Sequence, residues 1–295
     1  MIDQLANRLG FCHEDIDYLS ACYEKMTATP ELRAKLDETT ELYFCANEDN
    51  AYNALLDEIA KETEFHRYTV DLAFLLHAAR PLKYIYHVKG IDETIYYDSL
   101  RDLHTKLEEC KCVYSIVGTF VFSWFRGFYL CRRFALGRLQ YERSEFRFDS
   151  YKDVLKKGDT VYGCHIPSSG PLYPDDMIDS LKRAYEFYKD DLHDGILPVY
   201  CSSNLLHPPT AENYPEGSNL RFFYEQFDVI RSIDDPENRD FWRIFGCRFS
   251  PEALKDAPTH TSLQRSIKQM IQSGQPMGLG KSILLFDGEK VVNKN

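Results

Sequence analysis

The chain has 295 residues, 44% hydrophobic and 14% aromatic, which suits one large domain or two ordinary ones and argues against disorder. A formal net charge of −11 argues against a general nucleic-acid binder, which needs a basic face to neutralise phosphates. Nine cysteines, an odd number with no Cys-x-x-Cys pair, argue against a disulfide framework and a zinc knuckle; they read as reduced thiols of a cytoplasmic protein, with no metal expected.

The N-terminal stretch MIDQLANRLGFCHEDID has neither a basic n-region nor an apolar h-region, so no secretory signal is expected. The first third then reads as helices. EDIDYLSACYEKM sets Ile16, Leu19, Cys22, Tyr23 and Met26 on one face. PELRAKLDETTELYF opens on Pro30, which suits a first helical position. NAYNALLDEIAKETEF and YTVDLAFLLHAA continue the pattern, and Pro81 is expected to break or end the helix. IDETIYYDSLRDLHTKLEE follows Gly90 and is again amphipathic. The apolar stretch CVYSIVGTFVFSWFRGFYLC, 112–131, is interrupted by Arg126. Its clean part, Val113 to Phe125, falls short of the ~20 residues a membrane span needs. It reads as one buried helix, with no membrane partner, whose Arg126 reaches a carboxylate or the surface.

After about residue 130 the pattern changes to strands alternating with helices. RRFALGRLQYERSEFRF reads as a strand, and GDTVYGCHIP, 159–167, as a second. The helix DMIDSLKRAYEFYKD carries Met177, Leu181, Ala184 and Tyr188 on one face. ILPVYCSSNLL is a third strand, SNLRFFYEQFDVI a short helix running into a strand, and DFWRIFGCRF another strand. TSLQRSIKQMIQSG is a helix, and KSILLFDGEKVVN a terminal hairpin around Asp287-Gly288. The expected class is α+β: a helical domain over 1–110, then a mixed, mostly antiparallel α/β domain over 111–295.

Three stretches could carry chemistry. GQPMGLGKS, 274–282, approaches a phosphate-binding P-loop, but its spacing is wrong and it lies between a helix and a strand, so it reads as a turn. Cys164 and His165 are neighbours on a strand and point to opposite faces, so they cannot form a nucleophile pair. Cys201 leaves a thiol enzyme open. The third stretch is CHIPSSGPLYPDDM, a strand, a small-residue loop and a helix start, which can present backbone N–H groups to an anion. Pro171 and Pro174 remove donors, and Asp175, Asp176 and Asp179 already supply negative charge there, so an ordinary capped helix fits as well.

The order of strand 159–167, loop 168–174, helix 175–190, strand 196–206 and helix 218–227 resembles that of the GNAT superfamily of N-acyltransferases. The stretches GIDETIYYDSLRDL, WFRGFYLCRRFALGRLQYER, CHIPSSGPLYPDDMIDSLKRAYEFY, YCSSNLLHP and GSNLRFFYEQF, running from about 90 to 227, are similar to a narrower bacterial family. That family joins a helical N-acyltransferase N-terminal domain to a GNAT-like C-terminal domain. The resemblance implies acyl transfer from acyl-CoA (acetyl-CoA or longer) to a small-molecule amine. It implies Tyr224 as the acid that protonates the departing thiolate; no superfamily base maps onto the chain, and His165, Glu142 and Glu145 are candidates by their strand location, His165 first. The backbone at Cys164 and Ile166 would pair with pantetheine, Ser168, Ser169 and Gly170 would meet the pyrophosphate, and Asn219 would contact CoA or cap its helix. The chain departs from the superfamily's Gln/Arg-x-x-Gly-x-Gly/Ala loop, since SSGPLYPD stands there. A non-catalytic binding protein on the same fold is the alternative.

Overall fold

A computed structural model describes residues 2–45 and 51–293. Contacts divide the chain into two units, Met1–Phe134 and Ala135–Asn295.

The first unit is helical: α1 (Ile2–Arg8), α2 (His13–Met26), α3 (Pro30–Phe44), α4 (Ala51–Thr63), α5 (Arg67–Val88), α6 (Glu93–Tyr114) and α7 (Phe122–Tyr129). The run from Val70 to Ala79 is apolar nearly all round, so α5 is the central helix, touching α1, α2, α4, α6 and α7. Local signals set the helix starts. Thr29 caps α3 by accepting from the Leu32 N–H, with Pro30 at the first helical position, and Asp92 caps α6.

Three expectations for this region change. The α5 helix runs through Pro81 to Val88. Pro81 cannot donate to the His77 carbonyl, but Ala78, Ala79, Leu82 and Tyr86 bury the turns on both sides and hold the helix together. The stretch 112–131 is two helices and a crossing: α6 stops where Ser115 turns left-handed (φ 57°), and α7 begins at Phe122. Between them Gly118 lies against the start of α5, where a Cβ would sit 2.4 Å from the Tyr68 carbonyl carbon, so only glycine lets the chain cross. Arg126 reaches the Cys45 carbonyl and lies over the Tyr52 ring. Finally, the expected division at 110/111 falls inside α6, and the contacts divide the chain after Phe134. Among the described residues no helix is long and apolar enough to cross a membrane.

The strand β1 (Arg133–Leu136) spans the division, and the second unit contains β2 (Leu139–Glu145), β3 (Ser150–Tyr151), β4 (Leu155–Lys156), β5 (Thr160–His165), α8 (Pro174–Tyr188), β6 (Leu197–Ser203), α9 (Pro208–Ala211), α10 (Asn219–Glu225), β7 (Asp228–Asp235), α11 (Phe241–Phe245), α12 (Pro251–Asp256), α13 (Ser262–Gln272) and β8 (Met277–Phe286). A 3-10 turn, Asn204–Leu206, follows β6. The main sheet has the order β1-β2-β5-β6-β8-β7, and β3 pairs with β4 separately. Pairs β2/β5, β6/β8 and β7/β8 are antiparallel, and β5/β6 is parallel. On one face Tyr162 stacks on Tyr188 of α8, ring centres 4.2 Å apart. On the other, Val161, Ile283 and Leu285 pack against Phe146, Tyr151 and Leu155.

Three readings change here too. RRFALGRLQYERSEFRF holds two strands, because Gly137 (φ 80°) turns the chain between them. DFWRIFGCRF contains the helix α11, not a strand: Phe241 and Phe245, four apart, stack at 4.2 Å in a core with Ile267 and Met270 of α13. Most of GQPMGLGKS is strand, since β8 starts at Met277. Its glycines admit the chain that follows β6. A Cβ at Gly278 would lie 2.4 Å from His207 Nε2, and one at Gly280 1.8 Å from the Leu206 carbonyl oxygen.

Candidate active site

The parallel pair sets the geometry. β5 and β6 pair at Tyr162/Val199, Gly163/Tyr200 and Cys164/Cys201, and no further. β6 goes on pairing with β8 as far as Ser203/Gly280, while β5 ends at His165 and turns away. Beyond the two cysteines the two strands share no rung. Ile166, the next residue, is half-buried and leaves the strand pairing, so its backbone is not used by β6.

Opposed residues of neighbouring strands share a face. Cys164 and Cys201 therefore lie side by side, both buried and both free thiols. The hydrogen bond to Cys201, then burial, holds the Cys164 thiol well above its usual range. Substrate cannot reach a Cys201 that is 1% exposed, which removes the thiol-enzyme reading.

The opposite face carries a different pair. His165 Nε2 and Glu142 Oε1 are 2.9 Å apart, and each side chain keeps more than a quarter of its surface open (29% and 28%). Glu142 stands across from Gly163, where a Cβ would come 3.4 Å from Glu142 Cγ, so glycine leaves the carboxylate its path over β5 to the imidazole. A carboxylate against one ring nitrogen orients the ring. Glu145 stands opposite Thr160, on the other face of β2.

Past His165 the chain enters the loop 166–173. Arg138, in the turn between β1 and β2, donates to three of its carbonyls: Nε to Pro171 (3.0 Å), Nη1 to Pro167 (3.0 Å) and Nη2 to Gly170 (2.7 Å). One planar guanidinium fixes the loop's carbonyls on its own side. Gly170 adopts φ 108° with no protein atom within 4 Å of a Cβ, so its need for glycine is conformational rather than steric. Ser168 and Ser169 are exposed. The helix α8 that follows has no side-chain cap, with Pro174 at its start and Asp175 and Asp176 in its first turn.

Helix α10 packs against α8, α9 and the 3-10 turn after β6. Ser218 caps it by accepting from the Arg221 N–H, so Asn219 is the first helical residue and not the cap. Tyr224 is part-buried, and burial raises its pKa, with Arg221 lowering it and Glu212 raising it. Its hydroxyl makes no hydrogen bond among the described residues. The structure thus brings Cys164, His165, Ile166, Ser168, Ser169 and Gly170 together on one continuous strand and loop, and holds Tyr224 and Asn219 apart on α10. Sequence reasoning missed Arg138, which sits in no motif, and the specific pairing of Glu142 with His165, which only register creates. Among the described residues no group of three or more His, Cys, Asp or Glu could hold a metal ion.

Residues 1–131 match the N-acyltransferase N-terminal domain, and residues 134–284 match the GNAT-like C-terminal domain. No curated protein matches the chain significantly. Among solved structures, an acyltransferase in complex with decanoyl-CoA and teicoplanin superposes with a TM-score of 0.74 at 20% identity, covering 95% of this chain and 86% of that one. An acyltransferase in complex with CoA and 10C-teicoplanin gives 0.63 at 18% identity, covering 96% and 98%. At such identities the likeness is one of fold. The family matches, taken with the parted strands, show that this chain belongs to the acyltransferases that join an N-acyltransferase N-terminal domain to a GNAT-like C-terminal domain.

Proposed function

We propose that this chain transfers the acyl group of an acyl-CoA to an amine of a small-molecule acceptor. The observation that carries the reading is the parting of β5 from β6 just ahead of a loop whose carbonyls Arg138 holds on one side. Pantetheine enters past the last rung and pairs with the backbone at Ile166, as an added strand does, while Cys164, already paired on both sides, serves only as the end of the sheet there. The pyrophosphate meets Ser168, Ser169 and Gly170 and the uncapped start of α8. The fold's likeness to acyltransferases solved with decanoyl-CoA and teicoplanin supports an acyl-CoA donor and a bulky amine acceptor.

The chemistry follows from the pair on β2 and β5. The acceptor amine attacks the thioester carbonyl, and His165 takes the proton that the new C–N bond expels, with Glu142 holding the imidazole in place. Collapse of the tetrahedral intermediate breaks the C–S bond. Tyr224 gives its proton to the departing thiolate and recovers one from solvent. Asn219, at the first turn of α10, lines the approach to CoA.

The test has two parts. Calorimetry with acetyl-, octanoyl- and decanoyl-CoA is expected to show one site per chain. Release of free CoA thiol in the presence of a panel of amines, glycopeptide amines included, is expected for the wild type. It should fall by ~10²-fold or more in Glu142→Gln and His165→Ala, the scale of general-base contributions. If no CoA thioester binds folded protein at millimolar concentration, the acyltransferase reading fails and the fold serves a non-catalytic role.

A further inference from the structure

The helical unit contains a cleft of about 620 Å³ that the acyl-transfer reading does not use. It is bounded by α1, α2, α5 and α6, and lies within the range of small-molecule sites. Its walls are mostly apolar, built from Ile2, Leu5, Leu76, Pro81 and Tyr96.

Among its polar lining residues are three cations, Arg8, Arg80 and Lys83, with Gln4, Tyr23, His77 and Tyr97. Glu93 adjoins Lys83, and Asp37 acts on Tyr23 and His77. Lys83 is already engaged, with Glu93 at 2.6 Å and the Tyr97 hydroxyl at 3.0 Å. Arg8 differs. Its guanidinium carbon lies over the Tyr97 ring, 3.4 Å from the centre, and the group makes no hydrogen bond or ion pair among the described residues. Stacking fixes the plane of the fork while leaving its N–H groups unspent. Deeper in, His77 Nδ1 meets the Tyr23 hydroxyl at 2.9 Å, and its Nε2 has no partner among the described residues. Burial lowers the His77 pKa, so a neutral ring lies in the cleft beside the apolar wall. Pro81 adds a further polar group, because the His77 carbonyl lacks its helical donor.

We propose that this cleft is a ligand site within the helical unit for an amphiphile with an apolar body and a single carboxylate. The carboxylate pairs with the fork of Arg8, and the tail lies along Leu5, Leu76 and Pro81. A planar two-oxygen anion matches a fixed guanidinium in a way a cation or an alcohol cannot. The Arg8 guanidinium also disfavours an ammonium group beside it, so the amine acceptor does not bind to that group through its amine.

Calorimetry on the full chain, with sodium decanoate as the probe and decanol and decylamine as controls, tests this. Decanoate is expected to bind with one-to-one stoichiometry, decanol about tenfold more weakly, and decylamine not at all. The exposed Arg8→Gln variant should lose about tenfold in decanoate affinity and keep its decanol affinity. Leu5→Trp, which fills the cleft, should weaken both. Decanoate should still bind when saturating decanoyl-CoA is present. Absence of decanoate binding, equal binding of decylamine, indifference to Arg8→Gln, or displacement by decanoyl-CoA each overturns the proposal. None of these results bears on acyl transfer, which the thiol-release assay reads separately.

Discussion

Replacing Arg138 tests whether the loop 166–173 is pre-formed for its ligand. The guanidinium makes three charge-assisted hydrogen bonds to loop carbonyls. Hydrogen bonds to charged groups contribute roughly 1.5–3 kcal/mol each. The three bonds share one guanidinium, and the carbonyls freed at Gly170 and Pro171 lie on exposed residues and turn to water, so the loss falls well below three times that figure. A net stability loss of about 2–3 kcal/mol is expected for Arg138→Gln, readable as a lower urea midpoint at unchanged slope. Binding should suffer as well. A released loop must be ordered again by the ligand, at roughly 1 kcal/mol of backbone entropy per residue fixed. With about 1.4 kcal/mol per factor of ten, fixing one to three residues lowers acyl-CoA affinity about 10- to 100-fold. Arg138→Lys separates scaffold from charge. A lysine ammonium keeps the positive charge but cannot span three carbonyls in one plane. It should bind acyl-CoA about as weakly as Arg138→Gln in calorimetry. Affinity restored to the wild-type value in Arg138→Lys would refute the scaffold role and leave Arg138 as a simple counter-charge.

Three further outcomes are expected. Tyr224→Phe should lower turnover by ~10²-fold or more with acyl-CoA affinity nearly unchanged. Because its hydroxyl has no hydrogen-bond partner among the described residues, the melting temperature should scarcely move, and a fallen melting temperature with intact turnover would make it a core residue instead. Gly280→Ala places a Cβ 1.8 Å from the Leu206 carbonyl oxygen, so the turn after β6 must shift; a loss of about 1–3 kcal/mol or more in urea unfolding is expected, and a neutral result would contradict the close packing described. Asp71 titrates at about 7 in the fold, raised by burial against the pull of Arg67, whereas unfolded it loses its proton near pH 4. Between those values the folded state holds more protons, so stability falls as pH rises through the window. Asp71→Asn should therefore lose less melting temperature than the wild type between pH 5 and pH 8, and identical slopes would exclude the shift.

The elements that spoke in the sequence are those whose local chemistry agrees with their packing. The α8 helix was legible because Met177, Leu181, Ala184 and Tyr188 share a face and Pro174 suits its start. The misread elements are those where a distant contact overrides local preference. Pro81 lies inside α5 because buried neighbours hold both flanking turns. Gly278 and Gly280, read as turn residues, are strand residues because the chain after β6 lies on them. The Phe241–Phe245 stretch looked like a strand by composition, and the four-residue spacing of its two rings decided otherwise. At the site, strand order and the small-residue loop could be read from residues 163–188. The partners of His165 and of the loop could not. Glu142 and Arg138 come from the preceding hairpin, and only the register of β2 on β5 and the turn at Gly137 put them where they act.

The short parallel seam between β5 and β6 also bears on how the chain folds and opens. β2 and β5 pair through a short connection, whereas β5 and β6 meet only across the whole α8 crossover, and β6 waits for β8 at the end of the chain. Contacts that close long loops form late, and a seam of three residue pairs gives little back once closed. The antiparallel pairs on either side thus meet at a three-rung parallel join, and past that join the ends of β5 and β6 share no rung with each other. On the proposed reading, a donor lying between those ends would supply rungs that neither half possesses. Its occupancy would then resist separation of the halves, and the cohesion of the sheet would rise with donor concentration by mass action.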